Sequence, residues 1–169
     1  MLEIYACFSR AKHKSAIFSK LLQLWMGASF SHSYFRIVDK ELSMVYVYEA
    51  KSGGVHLRSI ETFDSVNDTV EMIKMPKLCP LIEKEFKRDL IQWSGIHYGY
   101  KQNIGIAIAD IVNNLGFKMT RNLFNDGMNC SEVVARLIEK HWSLKFKERY
   151  DLIDPKDLRN ELKEWLKLE

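Results

Sequence analysis

Three cysteines, three prolines and eight glycines in 169 residues set the first limits on this sequence. Cys7, Cys79 and Cys130 are odd in number, widely spaced and without a Cys-x-x-Cys pair, which excludes a disulfide framework and a zinc knuckle and points to a reducing, cytoplasmic setting. Glycine and proline are scattered and there is no low-complexity linker or internal repeat, so residues 1–169 are expected to form a single domain, large enough to bury its own core. No sign of charge dominates either. A net charge of +3 with interleaved acids gives no nucleic-acid footprint, and the modest clusters at Arg10, Lys12 and Lys14 and at Lys145, Lys147 and Arg149 read as solvated surface. Long hydrophobic runs are also missing. The most apolar stretch, IGIAIADIVNNLGF, is short and broken by Asp110, and MLEIYACFSRAKHK has no apolar signal core, so neither secretion nor a transmembrane segment is expected. Leu168-Glu169 has the form of a cloning scar and is left out of functional reasoning.

What is present is a change of texture along the chain. LEIYACF, SHSYFRIV, SMVYVYEA, VHLRSI after Gly53-Gly54, and VEMIKM before Pro76 read as strands. Between the first two, Ile17, Phe18, Leu21, Leu22 and Trp25 repeat at helical spacing from about Lys14 and are stopped by Gly27, predicting a helix packed on the core. Lys12, Lys14 and Lys20 would also suit peripheral membrane contact. After Pro80 the pattern is helical: Ile82, Phe86, Leu90 and Trp93, then an apolar helix over about 104–115, a helix from Cys130, and a last one opened by Asp154-Pro155 and carrying Leu158, Leu162 and Trp165. Strands first and helices later predict an α+β fold with a mainly antiparallel sheet.

NDGMNCSEVVARLIEKHW carries the chemical question. Asn129 is placed to cap a helix, with Glu132 completing a capping box, so Cys130 occupies the first helical position, where free amides and the helix dipole favour a thiolate. Cys130, Val134, Leu137 and Ile138 also share one helical stripe, and a buried cysteine behaves as a small hydrophobe. Both readings stand at this point: core residue or nucleophile.

A nucleophile needs a base. Of the five histidines, His141 lies about 16 Å along the same helix, His13 sits among basic residues, and His56 and His97 have no evident carboxylate partner. His32 differs. A hairpin symmetric about Lys40 and Glu41 would pair Val38 with Ser43 and set His32 directly opposite Glu49, with Cβ atoms about 5 Å apart. A slip of one residue would put Tyr48 or Ala50 there instead. Without catalysis the same pair would be a cross-strand polar contact at a sheet edge.

The order SHS, YEAKSGGVHL, HYGY, NCSEVVARLI and DPKDL resembles the circularly permuted branch of the NlpC-type papain-fold hydrolases, the YiiX-like group in particular, and shares the His-before-Cys order of the related lecithin retinol acyltransferase group. The resemblance implies a permuted papain-like fold, a Cys130 nucleophile, a His32 general base, and Glu49 as the residue that orients it. It also suggests pocket-lining roles for Tyr98 or Tyr100, and for Tyr5 near the site entrance, although EIYACF departs from the Gly-Asp-hydrophobic opening common in relatives. The implied activity is a cysteine peptidase or amidase working through an acyl-thioester, with no cofactor or metal, on a peptide or other acyl substrate. The alternatives are a lipid or thioester acyl hydrolase or acyltransferase with the same triad, and a catalytically silent binding module.

Overall fold

The computed structural model describes residues 1–13, 17–117, 119–124 and 127–168, without the side chains of Phe18, Tyr100 and Asn114. Lys14 of the first basic cluster, Glu169 and the Tyr100 side chain therefore lie outside the described residues. Strands β1 (Leu2–Ala11), β2 (His32–Asp39), β3 (Met44–Lys51), β4 (Gly54–Ser59) and β5 (Asn67–Lys74) form one sheet in the order β4-β3-β2-β1-β5. Every neighbouring pair is antiparallel. The helices are α1 (Ile17–Met26), α2 (Ile60–Asp64), α3 (Pro80–Trp93), α4 (Tyr100–Asn114), α5 (Cys130–Trp142) and α6 (Pro155–Leu166). The fold is α+β, with a five-stranded antiparallel sheet.

Alternation along the strands gives the sheet two apolar faces. On one, Leu2, Ile4, Ala6 and Phe8 of β1 and Phe35 and Ile37 of β2 join Phe86 of α3, Val133, Leu137 and Ile138 of α5, and Leu158 and Leu162 of α6 in the main core. On the other, Cys7, Tyr34 and Val47 form a smaller cluster with Ile60 and Phe63 of α2. The short α2 was not anticipated, because Ile60 reads as the end of a strand. It starts where the Ser59 side chain accepts from the Thr62 amide.

Two other expectations need correction. The β2–β3 connection is not a tight turn at Lys40-Glu41: Val38 pairs with Val45 and Asp39 with Met44. The Asp39 carboxylate accepts from the Glu41 and Leu42 amides and Ser43 takes φ 52°, so four residues, 40–43, make the loop. The helix over 17–26 exists, but it does not pack as a core helix. Ile17, Leu21 and Leu24 are 68, 58 and 80% exposed, while Met26 is buried and Leu22 and Trp25 line a cavity. Helical periodicity identifies an apolar face without saying what covers it.

Two glycines hold the loops that frame the site. Gly54, at φ 121°, ends the two-residue Ser52-Gly53 turn, and a Cβ there would stand 2.6 Å from the Ile96 carbonyl oxygen. Gly127, at φ 151°, has no room for a Cβ against the His97 carbonyl, 2.2 Å away. That contact lets the Met128 amide donate to the His97 carbonyl and the Gly99 amide to Met128, fixing the approach to Cys130.

Candidate active site

Cys130 is the first residue of α5. The Asn129 side chain accepts from the Glu132 amide at 2.8 Å, giving the predicted cap. The Glu132 carboxylate turns to Arg136 instead of back to the Asn129 amide, with Arg136 Nη2 at 2.7 Å. Burial raises the Glu132 pKa despite that arginine.

The sheet brings His32 and Glu49 together. The β2–β3 ladder, continued from Phe35 opposite Tyr48, sets His32 across from Lys51, two places from the expected register. A slip of two keeps residues on the same face, so Glu49 becomes a diagonal neighbour of His32. The contact is made: His32 Nε2 and Glu49 Oε2 are 2.7 Å apart. The other oxygen, Oε1, accepts from Arg58 Nη1 at 2.8 Å, while Arg58 Nη2 donates to the Thr62 carbonyl. Arg58 was not anticipated. Counting outward from the Ser52-Gly53 turn pairs Glu49 with His56 and Val47 with Arg58, so Arg58 lies diagonal to Glu49 on one face of the sheet. His56 is thus opposite a carboxylate after all, but the two oxygens of Glu49 are engaged by His32 and Arg58.

Cys130 and His32 lie near enough to shift each other's titration, with Ser33 beside the sulfur and its hydroxyl donating to Ser131 at 3.3 Å. Burial alone would push the Cys130 thiol up. The neighbouring His32, with Ser33, outweighs it and brings the thiol below its ordinary value. Burial by itself would lower His32, but Cys130 and Glu49 raise it to about 10. Burial likewise works against an ionised Glu49, and His32 and Arg58 hold its carboxyl below the usual range. The shifts run in the direction of a thiolate–imidazolium pair backed by a carboxylate. Cys7 provides the contrast: burial outweighs the nearby Arg36 and Tyr34 and pushes its thiol up to about 12.

No family model, no curated protein and no solved structure matches the chain. The geometry of the site therefore has to carry its chemistry.

Of the three tyrosines singled out in the sequence, Tyr98 lines the cavity at Cys130 and accepts from Asn103 Nδ2. Tyr5 stands apart. Ser9 is the β1 residue paired with His32, and Tyr5 lies four residues further along β1, about 13 Å by strand geometry, beside Lys74. His141, set aside as too distant, pairs with the buried Asp89 at 2.7 Å in the core. Among the described residues, no group of His, Cys, Asp and Glu is arranged to hold a metal ion.

Glu49→Gln should lower turnover about 10- to 100-fold by loosening the imidazole and removing a charge that raises its pKa. The alkaline limb of the pH–rate profile, set by His32, should move to lower pH in this variant. An unshifted limb in a variant of normal stability would separate Glu49 from the histidine.

Proposed function

We propose that the protein is a cysteine hydrolase of amide bonds, with Cys130 as nucleophile, His32 as general acid and base, and Glu49 as the residue that orients the imidazole. The observation that carries this reading is the 2.7 Å His32–Glu49 contact together with the electrostatic coupling of His32 to a Cys130 thiol placed at a helix N-terminus. The thiolate attacks the carbonyl carbon, the Cys130 amide at the start of α5 donates to the oxyanion, and the imidazolium protonates the departing amine. Water then attacks the thioester, assisted by the neutral imidazole, and releases the acid and the thiolate. The same arrangement supports the resemblance to the permuted NlpC-type papain-like fold, in which the base precedes the nucleophile along the chain. A cytoplasmic setting agrees with the reduced cysteines, and among the described residues no helix is long and apolar enough to cross a membrane.

The exposed apolar face of α1 favours a second reading, hydrolysis or transfer of lipid or thioester acyl groups. Cys130 borders a nearly closed cavity of about 20 Å³, room for about one water, whose walls include Leu22, Trp25 and Met26 of α1 with Ile106, Ile153, Asn103 and Asp154. The helix that forms part of the wall also turns Ile17, Leu21 and Leu24 outward.

Incubation with short peptide amides and, separately, with phospholipid vesicles, followed by intact-mass measurement, distinguishes the two. Amide cleavage with an acyl adduct on wild type, absent from Cys130→Ala, is the expected result. Cys130-dependent fatty-acid release without cleavage of any amide would reject the amidase reading in favour of the second.

A further inference from the structure

Three arginines from three segments converge on one depression. Arg121 comes from the α4–α5 loop, Arg136 from α5 and Arg149 from the α5–α6 loop, and all three line a space of about 520 Å³, within the range of ligand sites. It shares no lining residue with the cavity at Cys130. Local contacts fix the convergence. Asn122 Nδ2 donates to the Gln102 carbonyl of α4 at 2.9 Å and to the Asp151 carbonyl at 2.8 Å, which ties the loop bearing Arg121 to the loop bearing Arg149. Gly105 makes room for that tie, since a Cβ there would stand 1.8 Å from Asn122 Oδ1. Arg136 and Arg149 are in turn held by carboxylates: Glu132 Oε1 accepts from Arg136 Nε at 2.9 Å, and Asp151 Oδ1 from Arg149 Nε at 2.8 Å. The acids are the covered members of these pairs, with side chains 1 and 14% exposed against 33 and 58% for the arginines.

A guanidinium has five N–H donors, and these pairs engage Nε and Nη2, which leaves Nη1 of Arg136 and of Arg149 for another acceptor. Arg121 is exposed and, among the described residues, forms no ion pair. Asp151 is the carboxylate of the lining. Its Oδ2 also accepts from the Asn122 amide, and although burial opposes ionisation, Arg149 and that amide hold the carboxyl below the usual range. Three guanidinium groups thus share the depression with one acid already supplied with donors. A planar carboxylate ligand engages a single guanidinium fork. A phosphate dianion carries a second charge and directs its oxygens to several sides, which suits guanidinium groups arriving from separate segments. We infer that this depression binds a phosphate dianion, free or as the monoester of a small organic group, through Arg121, Arg136 and Arg149. Exposed Leu123 and the Tyr150 ring, stacked by the Arg136 guanidinium at 4.0 Å, line the same space and offer an organic group apolar contact.

The test is isothermal titration of the full chain with phenyl phosphate, inorganic phosphate and benzoate at about pH 7.5, above the second phosphate pKa near 6. Phenyl phosphate should bind once per chain and at least about tenfold more tightly than benzoate, and added salt should weaken it. Equal affinity for inorganic phosphate identifies the free ion as the ligand, and tighter binding of phenyl phosphate identifies a monoester. Arg121→Gln should weaken binding about tenfold, the value of one charge-assisted hydrogen bond, and Arg121→Glu should weaken it further. Arg10→Gln removes the same charge from β1, outside the depression, and should leave the affinity within about twofold. No saturable binding of either phosphate up to about 10 mM, benzoate bound as tightly as phenyl phosphate, or an equal loss in Arg121→Gln and Arg10→Gln would overturn the inference. The readout is binding, so each of these outcomes leaves the cysteine-hydrolase reading standing.

Discussion

Between pH 6 and 8 the alkylation rate of Cys130 is expected to climb less steeply than that of an ordinary thiol with a pKa near 8.5, which accelerates close to a hundredfold over the same range. The sign follows from the site. The Cys130 pKa is lowered, so its thiolate survives to a lower pH than that of an ordinary thiol, and His32 is raised to about 10, so the imidazolium survives into alkaline solution. His32→Ala removes the cation and leaves the burial that pushes the thiol up. The variant should therefore regain a rate that climbs about tenfold per pH unit. Because Cys130 is only 5% exposed, its absolute rate also reflects how readily iodoacetamide enters the cavity, and the shape of the pH profile is the sounder readout. Exposed Cys79 serves as the internal reference, with each cysteine followed by peptide mass mapping. Profiles of the same steepness for Cys130 and Cys79 in native protein would return Cys130 to the role of a core residue.

Leu137→Ala should destabilise the protein by about 2–5 kcal/mol, lowering the folding equilibrium constant by a factor of about 30 or more. Leu137 is fully buried on α5 between the sheet and its neighbours, so truncation loses apolar burial and leaves a cavity. Leu24→Ala, on the outward face of α1 at 80% exposure, should change stability by no more than about 0.5 kcal/mol. Urea denaturation of the two variants checks both values. A loss of about 2 kcal/mol or more at Leu24 would mean that α1 is covered as the sequence pattern first implied.

That pair of leucines illustrates what was legible. Both lie on apolar helical repeats, and the pattern alone gives them equal claim to the core. Leu137 is covered because α5 packs on β2 and β3, whereas the outward face of α1 meets solvent. The strands were legible from β-rich runs bounded by turns. The N-caps at Asn129 and Asp154 were legible because their geometry is local, each side chain reaching an amide three residues on. The His32–Glu49 contact was legible in parity but not in register. An error of an even number of residues preserves the face, whereas the loop length depended on Ser43 adopting a left-handed backbone that its side chain does not advertise. Arg58 went unseen because its tie to Glu49 emerges only when the Ser52-Gly53 turn is counted out. Tyr5 was misplaced because a residue's distance along β1 from the site depends on the β1–β2 register, which the sequence does not display.

The order of the site along the chain has a consequence for how it is made. His32 and Glu49 are 17 residues apart and meet across a hairpin, a loop closure of small entropic cost. Cys130 lies 98 residues beyond His32 by position, on a helix that must dock against β2 before its sulfur meets the imidazole. As the chain leaves the ribosome, base and carboxylate can associate while the segment bearing the nucleophile has yet to be synthesised. Until α5 docks, Cys130 keeps the proton of an unperturbed thiol and is correspondingly slow to oxidise or to attack passing electrophiles. The nascent protein thus carries no activated sulfur, and reactivity arrives only when α5 docks on the sheet.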